Sequence, residues 1–496
     1  MLITPKHNWI SGTLELTSKV RYGMTTRGVP IFRFIPYDKL LPPLAVGCSQ
    51  RNLFYNVHAV VEPSAPSKEG QLQRANLVQN LGRPTNQTEQ EVILVAYAYD
   101  NSKQQKAFPP YELPTTTHER PFLKGLTFHI DPPGCKDVDD TFTICKDIQT
   151  PDTWKIAINI ADVSELVLED SPLDLAAKQR ATSFYTPSGE AIYPMLPKEV
   201  SEQKASLLPG LLTEREVKPA LSLCFTYNTK TQNISPPVWQ LTSTQTTASY
   251  TYEQANEDHK HSEELKILAA CASRLANKKL CDSHEWVEKM MIFYNQRAGE
   301  ELARYRAGIL RRHAESSVPL VSSIQGVPNL PEFLFYESAE YCLPTAEYTR
   351  HYGLGSEFYA YASSPIRRYA DLVNQRAIKQ ILQNHLPVPL TQDLVDELNR
   401  RQKQAKAFSR DLFFMTNLSN SEDTSVKGIV IHQNPEKTKT KIWIPKWKRK
   451  ITTRSLTATP LTQGTEVDIQ WYDAREQARW KDRIVFKLET QGIARE

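Results

Sequence analysis

Cysteine is sparse in this 496-residue chain, and none of the seven (Cys48, Cys135, Cys145, Cys224, Cys271, Cys281, Cys342) stands in a Cys-x-x-Cys pair. An odd number without paired spacing argues against a disulfide framework and a structural zinc site, and fits a reducing compartment. Long apolar runs are also missing. No stretch of eighteen or more apolar residues occurs and the first residues form no apolar leader, so a cytoplasmic protein with no membrane partner is expected, organellar import being left open. Nor is there a large excess of one charge. A net charge of +4 and a pI near 8.5 permit an anionic partner without demanding one. At this length about three domains are expected.

What the sequence does contain is His129-Ile-Asp-Pro-Pro-Gly-Cys-Lys-Asp-Val-Asp-Asp140, with four carboxylates (Asp131, Asp137, Asp139, Asp140) within ten residues. The Pro-Pro-Gly corner cannot be helical and should fold the segment back on itself. Clustered carboxylates repel unless a cation joins them, so the pattern suits hard divalent ions, against the alternative of a solvated acidic turn. A calcium-binding helix-loop-helix is excluded, because the twelfth position is Phe142 counted from Asp131 and Ile148 counted from Asp137, where a Glu is needed. Phe142, Ile144, Trp154, Ile156, Ile158 and Ile160 alternate with polar or small residues around a turn at 150–152, predicting a hairpin that holds the loop.

The acid spacing resembles the metal site of the ribonuclease II / ribonuclease R (RNB) family of 3′-to-5′ exoribonucleases. Further family signatures follow in order: Ile160-Ala-Asp-Val-Ser164, Thr182-Ser-Phe-Tyr-Thr-Pro187, Pro194-Met-Leu-Pro197 and Ser364-Pro-Ile-Arg-Arg-Tyr369. The resemblance spans roughly residues 120–400. It implies an α+β multidomain fold, with an RNB-type catalytic domain over 116–420, an N-terminal cold-shock-like or OB RNA-binding region over 1–115, and a C-terminal OB-type domain over 421–496. It also implies Tyr185 and Tyr252 near the substrate's 3′ end, Glu288 facing the substrate, and single-stranded RNA as the partner of a monomer able to associate with other RNA-decay proteins.

Several departures from the family pattern stand out. Ala205-Ser206-Leu207 replaces Cys-Ser-Leu, Tyr359-Ala-Tyr-Ala-Ser363 replaces Tyr-x-His-Phe-Thr, and Asn374-Gln-Arg376 replaces His-Arg.

The flanks carry their own patterns. Short alternating runs from Ile10 to Val61 predict a small barrel or sandwich, with Lys19, Arg21, Tyr22, Arg27, Phe32, Arg33 and Phe34 interleaved; the aromatics read either as core or as a stacking surface. A linker is predicted over 63–70, a short helix over 72–81, and a helix end or buried strand over 92–97. Further helices are expected from about Ser262 to Cys281, His284 to Tyr305 and Thr391 to Thr416. Beyond Asn420 the chain turns to β, and Lys437, Lys439, Lys441, Trp443, Lys446, Trp447, Lys448, Arg449 and Lys450 combine charge with indoles expected at the surface, a pattern suited to phosphates and stacked bases, against the alternative of a solvated basic hairpin.

Ser364-Pro365 carries the signal of a helix start, with an apolar stripe through Ile366, Tyr369, Ala370, Val373, Ala377 and Ile381. Arg367 and Arg368 would then occupy the first turn, where cations are disfavoured unless an anion binds there. The expected chemistry is two-metal hydrolysis to nucleoside 5′-monophosphates. Asp131, Asp137, Asp139 and Asp140 hold Mg2+, with Mn2+ as the alternative, and Arg367 neutralises charge on the phosphate. Two rivals stay open: a catalytically weak RNA-binding protein on the same scaffold, and a metal-dependent nuclease acting on DNA.

Overall fold

Alternating apolar residues near the N-terminus close into a barrel of β1 (Ile10–Leu14), β2 (Ile31–Pro36), β3 (Leu44–Gly47), β4 (Val57–Pro63) and β5 (Gln73–Gly82), in the order β1-β2-β3-β5-β4. The computed structural model describes residues 9–64, 70–98, 107–115, 119–209, 216–315, 330–331, 334, 337–419, 421, 423–434, 439–454, 461–474 and 483–488. The helix expected over 72–81 is therefore a strand. Its pairing, parallel to β3 and antiparallel to β4, is what closes the barrel, and this long-range demand overrides local propensity. Residues 92–97 belong to helix α1 (Asn86–Ala98), which seats Val92, Ile93, Leu94 and Val95 in a core shared with the C-terminal sheet.

The middle of the chain builds a six-stranded sheet in the order β12-β11-β8-β7-β6-β13, from β6 (Leu126–Ile130), β7 (Asp140–Lys146), β8 (Thr153–Ala161), β11 (Lys218–Asn228), β12 (Val238–Thr244) and β13 (Ala248–Tyr250). The short pair β9 (Phe184–Tyr185) and β10 (Ala191–Tyr193) lies apart from it, after α2 (Pro172–Arg180), whose N-cap Ser171 accepts from the Asp174 amide. The predicted hairpin is β7–β8, paired in one register from Asp140↔Ile160 to Lys146↔Trp154.

One face of this sheet is covered by α3 (Tyr252–Asp258), α4 (Glu263–Ala276) and α5 (Ser283–Arg304). Phe128, Phe142, Ile156, Ile158, Leu223, Leu268, Met290 and Tyr294 meet there in a dry core, so the Met290 stripe is packing, as its helical spacing suggests.

After β14 (Leu310–Arg312) and β15 (Glu340–Cys342) come α6 (Tyr369–Leu382) and the 28-residue α7 (Gln392–Ser419). Strands β16 (Ser425–Asn434), β17 (Lys439–Ile444), β18 (Arg449–Arg454), β19 (Glu466–Asp473) and β20 (Ile484–Leu488) end the chain as a five-stranded sheet, β18-β17-β16-β19-β20. The whole is an α+β fold with a small β-barrel before the central domain and this sheet after it. Helix α7 joins the two. Its Asp411, fully buried, accepts from the Tyr37 hydroxyl at 2.8 Å, the Tyr97 hydroxyl at 2.7 Å and the Arg449 guanidinium at 3.0 Å.

The C-terminal indoles are corrected by this packing. Trp443 is 7% exposed beneath Leu330, Leu334, Ile429 and Ile431, and Trp447 is 1% exposed against Phe414, Trp471 and Phe486, so neither offers a face to a base. Trp443 shares the face of Lys439 and Lys441, while Thr440 and Ile442 face the other way, and it is buried because Leu330 and Leu334 cover that face at its end. Trp447 closes a 3-10 turn (Pro445–Trp447) that tucks its ring inward between exposed Lys446 and Lys448. Lys446 and Lys448 are exposed as expected, and Lys437 lies outside the described residues.

Candidate active site

The acidic loop is the β6–β7 connection. Gly134, at φ +80°, completes the Pro-Pro-Gly corner in a conformation that side chains resist. Because β6 and β7 pair antiparallel, Asp131 and Asp140 come to adjacent ends. The backbone is held on several sides: Asp131 N–H donates to the Tyr250 carbonyl at 3.1 Å, Val138 N–H to Ser206 Oγ at 3.0 Å, and Leu207 N–H to the Val138 carbonyl at 2.9 Å. Ser206 is thus the functional part of the altered Ala-Ser-Leu signature, and Ala205 beside it is buried packing.

A second segment, Tyr359–Arg368, meets the loop from across the domain. Asn295 of α5 organises it, accepting from the Ala362 amide at 2.9 Å and donating to Ser363 Oγ at 3.1 Å. The helix predicted to start after Ser364-Pro365 begins instead at Tyr369, with Arg368 as its N-cap. Pairing with the 181–183 segment holds Arg368 extended (φ −134°, ψ 122°): Tyr369 N–H donates to the Ala181 carbonyl at 2.8 Å and Ser183 N–H to the Arg367 carbonyl at 2.9 Å. The residues before it close a turn of their own, Arg368 N–H donating to the Ser364 carbonyl at 3.0 Å, with Ile366 N–H donating to Asp139 Oδ1 at 2.9 Å and Ser364 N–H to Asp371 Oδ1 at 2.8 Å. Arg367 therefore precedes the helix. Its Nε donates to Asp139 Oδ2 at 3.2 Å while its side chain stays 44% exposed, whereas Arg368 is 17% exposed and committed to Asp371 at 2.7 Å.

These pieces line a cleft of about 460 Å³, with Asp131, Asp140, Tyr252, Glu288, Arg367 and Arg368 among its lining residues. Tyr252 stacks on His284 with ring centroids 3.7 Å apart. Tyr185 stands behind the acids and donates its hydroxyl to Asp137 Oδ2; burial and the Asp137 charge push its pKa up. Burial raises Asp139 to about 7, although Arg367 and the Ile366 amide oppose the rise. Asp140 is held well above the usual carboxylate range by burial, then by Asp131 and Asp139.

The donor set fits a hard divalent ion chemically, since stacked carboxylates with raised pKa values are what such a cation would relieve. Geometrically, the described residues contain no group of three or more His, Cys, Asp or Glu side chains placed to hold a metal ion. Asp131 instead engages His129 Nδ1 at 2.9 Å, Asp137 engages Tyr185, and Asp139 engages Arg367.

The departures from the family pattern are internally satisfied. Gln375 accepts from the Ser164 amide at 3.1 Å and donates to the Ala161 carbonyl at 2.8 Å; Asn374 bonds both the amide and the carbonyl of Ile309. Tyr361 packs beneath the guanidinium groups of Arg311 at 4.4 Å and Arg368 at 3.9 Å. Sequence reasoning missed Asn295 and His351, both of which line the cleft. The signal for Asn295 was a polar side chain beside the buried stripe of α5. Of the other predicted contacts, Trp443 on β17 and Lys446, Trp447 and Lys448 in the turn between β17 and β18 do not line this cleft. A wider cleft of about 1100 Å³ runs between the N-terminal barrel and the C-terminal sheet, lined by Phe54, Tyr55, Arg83 and Tyr472 among others.

A family model of the RNB domain matches residues 120–282 and 260–384, just over half of the chain. The exosome complex exonuclease RRP44 homolog A of Arabidopsis thaliana is 24% identical over 530 residues, which cover 85% of this chain and 55% of that protein. The chain spans about half the length of the curated relatives it matches. Among solved structures, the apo form of Mycoplasma genitalium RNase R aligns with a TM-score of 0.74 at 15% identity, covering 97% of this chain and 90% of that one. Yeast Ssd1, described as a pseudonuclease, aligns with a TM-score of 0.71 at 17% identity, covering 99% and 72%. At these identities the structural matches establish the fold alone. Among the described residues, no helix is long and apolar enough to cross a membrane.

Proposed function

Because the chain belongs to the RNB-domain family, we propose that it is a 3′-to-5′ exoribonuclease that hydrolyses single-stranded RNA to nucleoside 5′-monophosphates. The observation that carries this reading is the single cleft in which Asp131, Asp140, Tyr252, Glu288 and Arg367 converge from four separate stretches of chain. Asp131, Asp137, Asp139 and Asp140 would hold magnesium or manganese, which when bound supply Lewis acidity at the phosphate and an activated water. Arg367 donates to the phosphate oxygens as charge builds on them, and its link to Asp139 keeps the guanidinium aimed there. Tyr252, backed by His284, positions the terminal nucleotide, and Tyr185 fixes Asp137 by its hydroxyl proton.

The division into 1–115, 116–420 and 421–496 belongs to the same proposal. RNA approaches along the wide cleft, where Phe54 is 94% exposed and Tyr472 45% exposed, and Lys446 and Lys448 add phosphate contacts.

A second reading, an RNA-binding protein with little turnover, is favoured by one observation: Asp137 and Asp139 are engaged by Tyr185 and Arg367, with no metal-shaped group among the described residues. Incubating the purified protein and magnesium with a 5′-labelled RNA and a matched DNA decides between them. A ladder shortening from the 3′ end of RNA supports the nuclease. Bound but intact RNA supports the second reading, and preferential cutting of DNA overturns both.

A further inference from the structure

His129 and Ser249 take no part in the chemistry above, yet they make a chain of hydrogen bonds that ends on one of the acids. Side chains two apart along a strand share a face, so the extended run through β6 sets His129 beside Asp131, with His129 Nδ1 2.9 Å from Asp131 Oδ2. Strand β13 runs parallel to β6 with Ser249 opposite His129. The second ring nitrogen, Nε2, meets Ser249 Oγ there at 2.8 Å.

The backbones that carry these groups are fixed, since Asp131 N–H donates to the Tyr250 carbonyl at 3.1 Å and Thr247 N–H to the Thr127 carbonyl at 2.8 Å. Only side-chain torsions are left to place the carboxylate. Burial differs along the relay: His129 is 5% exposed, whereas Asp131 keeps 22% of its side chain exposed and lines the cleft, and Ser249 is exposed.

The direction of the bonds follows from which groups can donate. An ionised carboxylate only accepts, so Nδ1 carries a proton and donates to Asp131 Oδ2. A neutral ring then accepts the Ser249 hydroxyl proton at Nε2, and a charged ring donates to Ser249 Oγ instead; Oδ2 is held in both cases. Asp131 Oδ1 makes no hydrogen bond among the described residues. A carboxylate pinned at one oxygen turns less freely about its last torsion, and losing an outer partner of this kind costs a metal site about 10- to 100-fold in affinity.

Resting on the reading of Asp131 as a ligand of the divalent ion, we propose that His129, steadied by Ser249, is a positioning residue that pins Asp131 by Oδ2 and so presets the carboxylate for the ion.

The test is Mn2+ binding to the full chain without RNA, followed by loss of the free-ion electron paramagnetic resonance signal. The dissociation constant reads the site, while the stoichiometry reads any unfolded fraction. His129→Leu should weaken Mn2+ binding by about ten- to a hundredfold. His129→Asn, whose amide N–H stands near the position of Nδ1–H, should keep most of the affinity, and Ser249→Ala should fall between the wild type and His129→Leu. Adding His129→Leu to Asp131→Asn should cost nothing further, because the histidine acts through that carboxylate. An unchanged or tighter constant in His129→Leu, equal losses in His129→Leu and His129→Asn, or additive losses with Asp131→Asn overturn the assignment and leave the exoribonuclease reading in place. A Ser249→Ala protein that binds as the wild type does overturns the part given to Ser249. A wild type that takes up no Mn2+ overturns the metal reading as well.

Discussion

Arg367 and Arg368 are adjacent in sequence and opposite in predicted role, which makes the pair a sharp experiment. Removing Arg368 leaves Asp371, fully buried, without its partner 2.7 Å away, and a broken buried pair costs about 3–5 kcal/mol. Removing Arg367 breaks a contact whose arginine is 44% exposed, worth about 1 kcal/mol or less after solvent screening. The ordering reverses for rate. Arg367→Ala deletes a donor to the transferring phosphate, and a hundredfold loss of single-turnover rate is expected, about 2.7 kcal/mol. Arg367→Lys should recover little, because an ammonium on a flexible stem does not reproduce the guanidinium fork. Arg368→Ala, assayed cold so that it stays folded, should lose less than tenfold. The measurements are single-turnover hydrolysis of 5′-labelled RNA at saturating enzyme and denaturant unfolding of the same three proteins. Near wild-type rates in Arg367→Ala, or a rate collapse in Arg368→Ala at unchanged stability, would refute the assignment.

Asp139→Asn should abolish hydrolysis while leaving RNA affinity within about twofold, because the amide oxygen can still accept from Ile366 N–H; parallel loss of binding in a titration would contradict this. Gly299→Ala should destabilise by about 1–3 kcal/mol despite the better helix propensity of alanine, since its Cβ would sit 2.7 Å from the Tyr359 backbone; a raised unfolding midpoint would show that helix and segment can part. His58, lowered to about 4 by burial and then by Arg483, is neutral in the fold and binds a proton more readily when unfolded. Its contribution is therefore complete above about pH 6.5 and lost as pH falls towards 4, on the order of 3 kcal/mol, and His58→Asn should flatten the pH dependence of unfolding in that window. Lys446→Ala with Lys448→Ala should reduce the slope of log affinity against log salt by about 1.4 for single-stranded RNA, and an unchanged slope would mark both as ordinary solvated surface.

Local periodicity made some of this molecule readable and concealed the rest. The β7–β8 hairpin was legible because Phe142 to Ile160 alternate with a strict period of two, and α5 because its apolar residues recur at helical spacing. The acid loop was legible because its chemistry is local. Strand β5 was not, since its identity comes from partners in two other strands, and the start of α6 was misplaced because the 181–183 segment, distant in sequence, pairs with Arg367 and Arg368 and holds them out of the helix. The indoles misled for a different reason: neighbouring lysines suggested a surface, whereas Leu330 and Leu334, more than a hundred residues earlier in the chain, cover Trp443 on the lysine face, and a 3-10 turn folds Trp447 into the core. His351 and Asn295 carry no motif-like spacing to the acids, and only the fold brings them to one cleft.

The meeting of Tyr37, Tyr97 and Arg449 at Asp411 sets a timetable for making the protein. Tyr37 and Asp411 are 374 residues apart, so at ribosomal speeds roughly 20–75 seconds separate their synthesis. Throughout that interval the N-terminal barrel has emerged, while the long helix that covers its Tyr37 face has not. Arg449 arrives later still, from the sheet that follows α7. A nascent chain halted before α7 should thus display an uncovered apolar face and recruit chaperones, and synthesis through β18 should bury that face as the barrel and the later sheet lock onto one carboxylate.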